Sequence, residues 1–148
     1  MSQHNTERQA WLGLLARADA HALDALWQSA GMAPTYDVLR APEVGTSLVR
    51  GRAGATGAPF NLGEVTVTRC SVRAETGAVG HGYVQGRSKD KALQAALIDA
   101  LMQGAEAASL EAAVLKPLRD AEAAARQART QKAAATKVDF FTLMRGED

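Results

Sequence analysis

The sequence predicts an α+β fold with an N-terminal helical segment, a four-stranded, mainly antiparallel sheet over 36–86, and C-terminal helices that end in an apolar tail. Apolar residues alternate with a period of two in the middle of the chain, whereas at both ends they recur every three or four residues. The connections between the candidate strands are short, which favours an antiparallel meander over βαβ crossovers. At 148 residues the chain has the length of one domain, and we expect one over 1–148.

The N-terminal helical segment is predicted over 6–30. Thr6 can accept a backbone N–H as its N-cap. We expect the helix to break and to restart at Asp19. Gly31 is placed to end the segment, because glycine adopts the left-handed conformation of a helix C-terminus without strain. Pro34 then prevents the helix from continuing.

The four strands are predicted from short apolar runs bounded by turn residues. They cover 36–40, 46–52, 62–73 and 78–85. Pro42 is expected to close the first strand, and the glycine-rich stretch 54–60 is expected to form a loop. In the third strand the apolar residues change parity, which predicts a bulge or bend near Arg69. Thr76 and Gly77 signal a hairpin turn between the last two strands.

Helical periodicity returns at Ser88, which is the predicted N-cap of a helix over 88–104. The leucines of this helix are expected to pack on one face of the sheet. The residues expected to meet there are Leu93, Leu97, Leu101, Val65, Val67 and Val84. A short helix over 110–118 is expected to be interrupted by Pro117. Residues 119–136 are helical by propensity and contain no large apolar side chain.

Composition excludes several classes of protein. No apolar run reaches the ~18 residues of a membrane span, and 1–8 lacks the apolar run of a signal peptide. We therefore expect a cytoplasmic protein with no membrane partner. The net charge of +1 gives no overall attraction to nucleic acid. The single cysteine, Cys70, permits no internal disulfide and no cysteine-rich zinc site, and no pattern predicts a metal or a cofactor.

A basic, glycine-rich segment is the first place to expect an anionic ligand. Residues 44–91 hold seven Lys or Arg and three Asp or Glu, a net charge of +4. Within them, 80–91 runs from a strand into a helix N-terminus, where free N–H groups and the helix dipole favour phosphate. The candidate phosphate ligands are Arg87, Lys89, Arg69 and His81, and Lys91 adds charge. The spacing matches neither a dinucleotide fingerprint nor a P-loop, so the spacing alone favours an ordinary strand-to-helix turn.

Arginines on neighbouring strands form a second candidate site. Arg50 and Arg52 share one face of their strand, and Arg69 and Arg73 share a face of theirs if no bulge intervenes. Four guanidinium groups can then grip phosphates or carboxylates; a solvated sheet face is the alternative. No set of residues has the spacing of a catalytic or metal-binding constellation, so no catalytic residue is assigned.

The C-terminal segment is apolar although it follows a polar helix. Its large apolar residues are Val138, Phe140, Phe141, Leu143 and Met144. They can fold back on their own domain or dock into a partner, and we favour docking because exposed apolar clusters mark interfaces. Their spacing fits both an extended segment and a helical turn. We expect 136–148 to be a docking tail.

Three segments together resemble one known family. They are Tyr36-Asp37-Val38-Leu39-Arg40 with Glu43 and Gly45, then Gly82-Tyr83-Val84-Gln85-Gly86-Arg87 running into 96–103, and finally 138–142 with Met144-Arg145-Gly146. The loop over 54–60 and the pair Thr68-Arg69 also fit. In this order the segments are similar to the PhnG family of the bacterial phosphonate carbon–phosphorus lyase system. The likeness covers essentially the whole chain and is loosest over 105–136.

The resemblance implies a role that spacing cannot show. Members of this family are subunits of a core complex in phosphonate breakdown, together with a nucleosidase, a radical-SAM lyase and further accessory subunits. The associated step transfers the ribose 5-triphosphate moiety of ATP to an alkylphosphonate and releases adenine. The resemblance carries over no catalytic residue and implies a structural or accessory subunit. The alternatives are a subunit that contributes catalytic or triphosphate-binding groups, with Arg87, Lys89, Arg69 or His81 as candidates, and a stand-alone anion- or phosphate-binding module.

Overall fold

The computed structural model describes residues 2–52, 57 and 59–145. The elements follow in the order α1 (Ser2–Arg17), α2 (Ala20–Ala30), β1 (Tyr36–Arg52), β2 (Pro59–Ala74), β3 (Val79–Gln85), α3 (Lys89–Leu101), α4 (Ala107–Leu110), a π-helical turn (Glu111–Leu115) and α5 (Lys116–Arg145). Helices and an antiparallel sheet are both present, as an α+β class requires. Of the predicted loop over 54–60, residues 54–56 and 58 lie outside the described part of the chain, and 59–60 belong to β2 rather than to a loop.

Over the described residues the sheet has three strands, in the order β1-β2-β3, so the prediction of four strands was wrong. The segments 36–40 and 46–52 are parts of one strand, β1, which pairs antiparallel with β2. Pro42 does not close β1, because the register shifts between Arg40 and Glu43 and the proline falls within this irregularity. β1 lies at the sheet edge, where proline is tolerated because its missing N–H need not break a ladder bond.

β2 runs through Arg69 without the predicted bulge. Over 67–73 it pairs in unbroken register with β3. The pairing of β1 with β2 shifts register twice near this point, and each shift places one extra residue on β1 rather than on β2. The parity change in the sequence instead reflects burial on both faces of β2. Cys70 and Val72 are buried on the side that faces the helices, and Val67, at an odd position, is buried as well.

α3 lies directly on the backbone of β3. A Cβ at Gly80 would lie 1.9 Å from the carbonyl oxygen of Ala96, and a Cβ at Gly82 would lie 2.1 Å from that of Ala92. No side chain fits between the two elements at these points. The glycines of 80–82 therefore serve the close packing of a helix on a strand, which is one of the ordinary uses of a strand glycine.

The core lies between α3, the β2–β3 pair and the remaining helices. Its larger members are Trp11, Leu14, Leu15, Leu23, Trp27, Val72, Val84, Leu97, Ile98, Leu101, Leu110, Val114, Leu115 and Leu118. Leu93 is only partly buried against this core. Val65 is 40% exposed, and Val67 is buried outside the cluster, so neither packs as predicted. Cys70 lies in the core on the helix-facing side of β2, and burial raises the pKa of its thiol.

Local capping confirms most of the predicted helix boundaries. The Asp19 carboxylate accepts a hydrogen bond from the Ala22 N–H at 3.0 Å, so α2 restarts as predicted. Gly31 ends α2 with a φ of 66°. The Ser88 hydroxyl accepts the N–H of Lys91 at 3.1 Å. Thr6 is not an N-cap, because α1 already begins at Ser2.

The C-terminal helices form one almost continuous rod. Pro117 does not interrupt it, although the sequence predicted that it would; it is the second residue of α5. The π-helical turn over 111–115 immediately precedes it. Such a turn alters the hydrogen-bond spacing of the helix, and the start of a helix is where a missing proline N–H costs least.

Two parts of the molecule extend beyond the core. β3 ends at Gln85, opposite Val67, so beyond that pair β1 and β2 form a two-stranded ribbon over 46–52 and 59–66. α5 is covered only in its first turns, and every residue over 123–144 is exposed. We call 123–144 the arm; at 1.5 Å per residue it is about 33 Å long.

Candidate functional site

Two of the four predicted phosphate ligands lie on the face of the sheet away from α3. Arg69 pairs with Tyr83 across β2 and β3, and Ser71 pairs with His81. The Ser71 hydroxyl and His81 Nδ1 are 2.9 Å apart in a hydrogen bond. Both Arg69 and His81 are exposed, and as diagonal neighbours their Cα atoms are expected about 7–8 Å apart.

Acidic residues oppose the arginines of this face. Across β1 and β2, Glu43 pairs with Arg69, and Asp37 pairs with Arg73. Opposite charges directly across a sheet attract one another, so the face is less positive than its arginines alone suggest. An anion approaching it must compete with these carboxylates.

The four arginines proposed for this region do not gather at one point. Arg50 pairs with Asn61, in the ribbon, whereas Arg69 lies eight positions further along β2. At about 3.3 Å per residue that separation is about 26 Å. The Arg52 side chain lies outside the described part. The structure therefore does not form the predicted four-guanidinium grip.

The other two predicted ligands, Arg87 and Lys89, lie in the turn from β3 into α3. Both side chains are exposed. Lys91, which was expected to add charge there, instead turns inward: its Nζ donates to the carbonyl oxygens of Ala16 at 3.0 Å and Gln85 at 3.2 Å. Burial lowers the pKa of this amine. Among the described residues, no hydrogen bond or ion pair joins any of the four predicted ligands to another.

Sequence reasoning missed the most densely bonded carboxylate in the fold. Asp99 is fully buried in α3. Its Oδ1 accepts from Arg8 Nε at 3.1 Å and from Trp11 Nε1 at 2.8 Å. Its Oδ2 accepts from Arg8 Nη2 at 2.8 Å and from the backbone N–H of His81 at 2.9 Å. The signal was available in the sequence as an aspartate among the buried positions of an apolar helix.

This carboxylate joins three elements rather than forming a reactive centre. Asp99 on α3 holds Arg8 and Trp11 of α1 and the backbone of β3 together. The hydrogen bond to Asp99 raises the pKa of Arg8. Four hydrogen bonds engage both oxygens of the Asp99 carboxylate, and the residue is fully buried. The network fixes the strand that carries His81.

The predicted docking residues lie at the tip of the arm, in helical conformation. They are Val138, Phe140, Phe141, Leu143 and Met144, all exposed. Phe140 is 58% exposed and Phe141 is 55% exposed, so the cluster is not folded back on the core. The two rings meet edge to face with centroids 6.0 Å apart. Lys137 Nζ lies 5.9 Å from the Phe141 centroid.

The start of α5 borders a groove of about 460 Å³ beside the junction of α1 and α2. Arg17 Nε donates to a Glu122 oxygen at 3.1 Å across this groove. Arg126 Nη2 donates to the other Glu122 oxygen at 3.2 Å. The hydrogen bond from Arg17 lowers the pKa of Glu122, and the charges of Arg17, Arg126 and Arg129 add to the effect. Ion pairs thus hold the base of the arm, beyond which it is exposed.

Neither a metal centre nor a membrane span appears in the described part of the structure. No three His, Cys, Asp or Glu side chains lie close enough there to hold a metal ion. No helix there is both long and apolar enough to cross a bilayer.

Comparison with known proteins extends over nearly the whole chain. A family model described as "Phosphonate metabolism protein PhnG" matches residues 6–146. A relative from Rhizobium meliloti (strain 1021), named alpha-D-ribose 1-methylphosphonate 5-triphosphate synthase subunit PhnG, is 44% identical over 143 residues. That alignment covers 96% of this chain and 91% of the relative. The matched region therefore includes the sheet, α3 and the arm.

Proposed function

The chain belongs to the PhnG family, and from this premise we propose that it is a subunit of the complex that makes alpha-D-ribose 1-methylphosphonate 5-triphosphate. In this proposal the complex transfers the ribose 5-triphosphate moiety of ATP to an alkylphosphonate and releases adenine. The chain supports the reaction in a structural or accessory role, in the cytoplasm. The name of the 44% identical relative, which is a subunit of such a synthase, supports this assignment.

One observation carries the accessory role: the arm presents an apolar tip that the described residues of the chain leave exposed. Burying one phenylalanine contributes about 1.5–3 kcal/mol, so a partner that covers Phe140 and Phe141 gains a substantial part of a stable interface. The predicted phosphate ligands, by contrast, are dispersed over a sheet face and a turn. A docking surface is therefore better supported by this geometry than an active site.

The partners proposed are the other core subunits of the carbon–phosphorus lyase system. They comprise a nucleosidase, a radical-SAM lyase and further accessory subunits. ATP and the alkylphosphonate are then substrates of the assembled complex. The pure chain is expected to show no turnover of ATP with methylphosphonate, and turnover by the chain alone would contradict the accessory role.

The test of the docking tail is the double variant Phe140→Ala, Phe141→Ala, made in the full chain and co-expressed with the other subunits. We expect co-purification to fall markedly, because two apolar anchors of about 1.5–3 kcal/mol each are lost. Thr142→Ala is the matched control, since its hydroxyl only bonds back to the Val138 carbonyl at 3.0 Å. Circular dichroism should show unchanged helix content in both variants. Recovery of the double variant with its partners at wild-type yield would exclude docking through this tip.

A contribution to triphosphate binding is a second candidate role, supported by the exposed Arg87 and Lys89 at the start of α3. If Arg87 grips a phosphate, Arg87→Ala should weaken nucleotide or phosphonate use by the complex by about 1–3 kcal/mol, the size of a lost charge-assisted hydrogen bond. Lys116→Ala is the control, because Lys116 is an exposed base that pairs with Asp120. Unchanged kinetics for Arg87→Ala in an intact complex would leave Arg87 a solvated residue.

A further inference from the structure

Three basic residues of the arm and two residues of its apolar tip share one side of the helix. Separations of three and four residues return to the same side of an α-helix. At such separations along α5 stand Arg126, Arg129, Ala133, Lys137, Phe140 and Met144. We call these six residues the docking face. From first to last it is about 27 Å long, at 1.5 Å per residue.

Charge is segregated along α5. At its start, bases and acids balance: Lys116 pairs with Asp120, and Arg119 pairs with Glu111. Over 123–144 the arm has four basic residues and one acidic residue, Asp139. Arg126 forms an ion pair with Glu122 at the base of the arm, and the charge of Arg129 also acts on that carboxylate. Among the described residues no ion pair engages the three basic residues of the arm other than Arg126.

We propose that the docking face binds an acidic groove on another subunit of the synthase complex. An apolar pocket at one end of the groove receives Phe140 and Met144, and carboxylates along its wall pair with Arg129 and Lys137. The excess of positive charge on the arm, four basic residues against Asp139, argues for a partner groove that is acidic. The inference rests on the proposed function for the existence of that partner subunit.

Other occupants fit the arm less well. A second copy would bring two basic arms side by side, and like charges repel. A lipid surface is recognised by helices that carry large apolar residues along one whole side, whereas 119–137 contains none. The apolar residues occur only at the tip, which is the arrangement of an anchor in a pocket.

The two parts of the docking face should act on different rate constants. Charges at an interface mainly accelerate association, and salt weakens their effect. Apolar anchors in a pocket mainly slow dissociation. Measuring both rate constants therefore separates the contribution of the basic residues Arg129 and Lys137 from that of the apolar tip.

The experiment uses the remaining subunits of the complex, co-expressed without this chain and immobilised, with the full chain as analyte at 50 and 300 mM NaCl. For the wild type we expect the association rate to fall by about tenfold or more at the higher salt. Arg129→Glu with Lys137→Glu should lower that rate at 50 mM NaCl by about tenfold or more and remove the salt dependence. Phe140→Ala with Met144→Ala should accelerate dissociation and keep the salt dependence.

Gln131→Glu is the control for the position of added negative charge, because it adds one such charge on the side of the arm away from the docking face. It should associate within about twofold of the wild type, since the groove contacts only one side. The proposal would be overturned if the Arg129→Glu, Lys137→Glu variant associated at the wild-type rate. It would also be overturned if Gln131→Glu lowered the association rate as much as that variant does. If the wild-type chain does not bind the subunits at all, the proposed function itself fails.

Nucleic acid and anionic lipid are distinguished in the same series. The wild-type chain is titrated with single-stranded RNA and with phosphatidylglycerol vesicles at 150 mM NaCl. We expect neither to bind. The decisive outcome is binding of the wild-type chain to RNA or to vesicles that is lost in Arg129→Glu with Lys137→Glu while subunit binding is unchanged. That result would assign Arg129 and Lys137 to that ligand and overturn the proposal.

Discussion

α3 and the arm are both alanine-rich helices, yet one forms the centre of the fold and the other is exposed throughout. In α3, Ala92 and Ala96 press against a strand that has glycine at Gly80 and Gly82. The arm has a similar density of alanine, but none of the helices and strands that the structure describes covers it. An alanine side chain contributes little apolar area by itself. An alanine-rich helix is therefore buried only where the opposing element lets the two backbones approach closely, as β3 does for α3.

The same contrast holds for the charges. In α3, Asp99 is fully buried and accepts hydrogen bonds from three residues. At the base of the arm, the ion pair of Arg17 with Glu122 is partly solvated. Solvated ion pairs contribute little to stability, whereas breaking a buried one leaves polar groups without partners. Mutations should therefore have large effects in the first region and small ones in the second.

The largest effect is expected at the helix–strand contact. Gly80→Val should prevent folding or cost more than about 4 kcal/mol of unfolding free energy, because even a Cβ there lies 1.9 Å from a backbone oxygen of α3. Gly104→Ala is the control, since the nearest atom to its Cβ lies 3.8 Å away. Urea denaturation measures both. A stable Gly80→Val variant would mean that α3 does not lie on β3 in this way.

A smaller but still large effect is expected at the buried carboxylate. Asp99→Ala should lower the unfolding free energy by about 3 kcal/mol, because the Trp11 indole N–H and the His81 N–H lose their acceptor and Arg8 loses its counter-charge. Thermal or urea unfolding checks this. Arg8→Ala should cost less, since that side chain is partly exposed. A loss below about 1 kcal/mol for Asp99→Ala would place Asp99 among the solvated pairs.

The smallest effect is expected at the base of the arm, and it depends on pH. The hydrogen bond from Arg17, with the charges of Arg17, Arg126 and Arg129, lowers the pKa of Glu122 in the folded state. The ionised carboxylate therefore stabilises the fold above the ordinary glutamate pKa of about 4.3, and this contribution is lost as the pH falls through the lowered folded-state pKa.

Glu122→Gln should thus reduce stability at pH 7 by less than about 1 kcal/mol. The difference from the wild type should shrink in more acidic buffer, as followed by thermal unfolding between pH 7 and pH 2. Asp120→Asn, in the exposed pair with Lys116, is the comparison variant. A stability difference between the wild type and Glu122→Gln that grows as the pH falls would contradict a lowered pKa of Glu122 in the folded state.

The predicted site illustrates where sequence reasoning was limited. Exposure of Arg87 and Lys89 followed from their polarity and their place in a turn. The inward direction of Lys91 did not, because it depends on two carbonyl oxygens, of Ala16 and Gln85, that folding brings near its amine. Likewise, the Asp99 network spans residues about ninety positions apart in the chain.

The sequence by itself determined the local features of this protein: the helix restart at Asp19, the ending at Gly31, the cap at Ser88 and the helical character of α5. These depend on backbone preferences and hydrogen bonds within a few residues. Only the tertiary structure decided that Pro42 lies within one bulged edge strand rather than between two strands. Strand number and burial depend on which partner lies opposite, and no local pattern contains that partner.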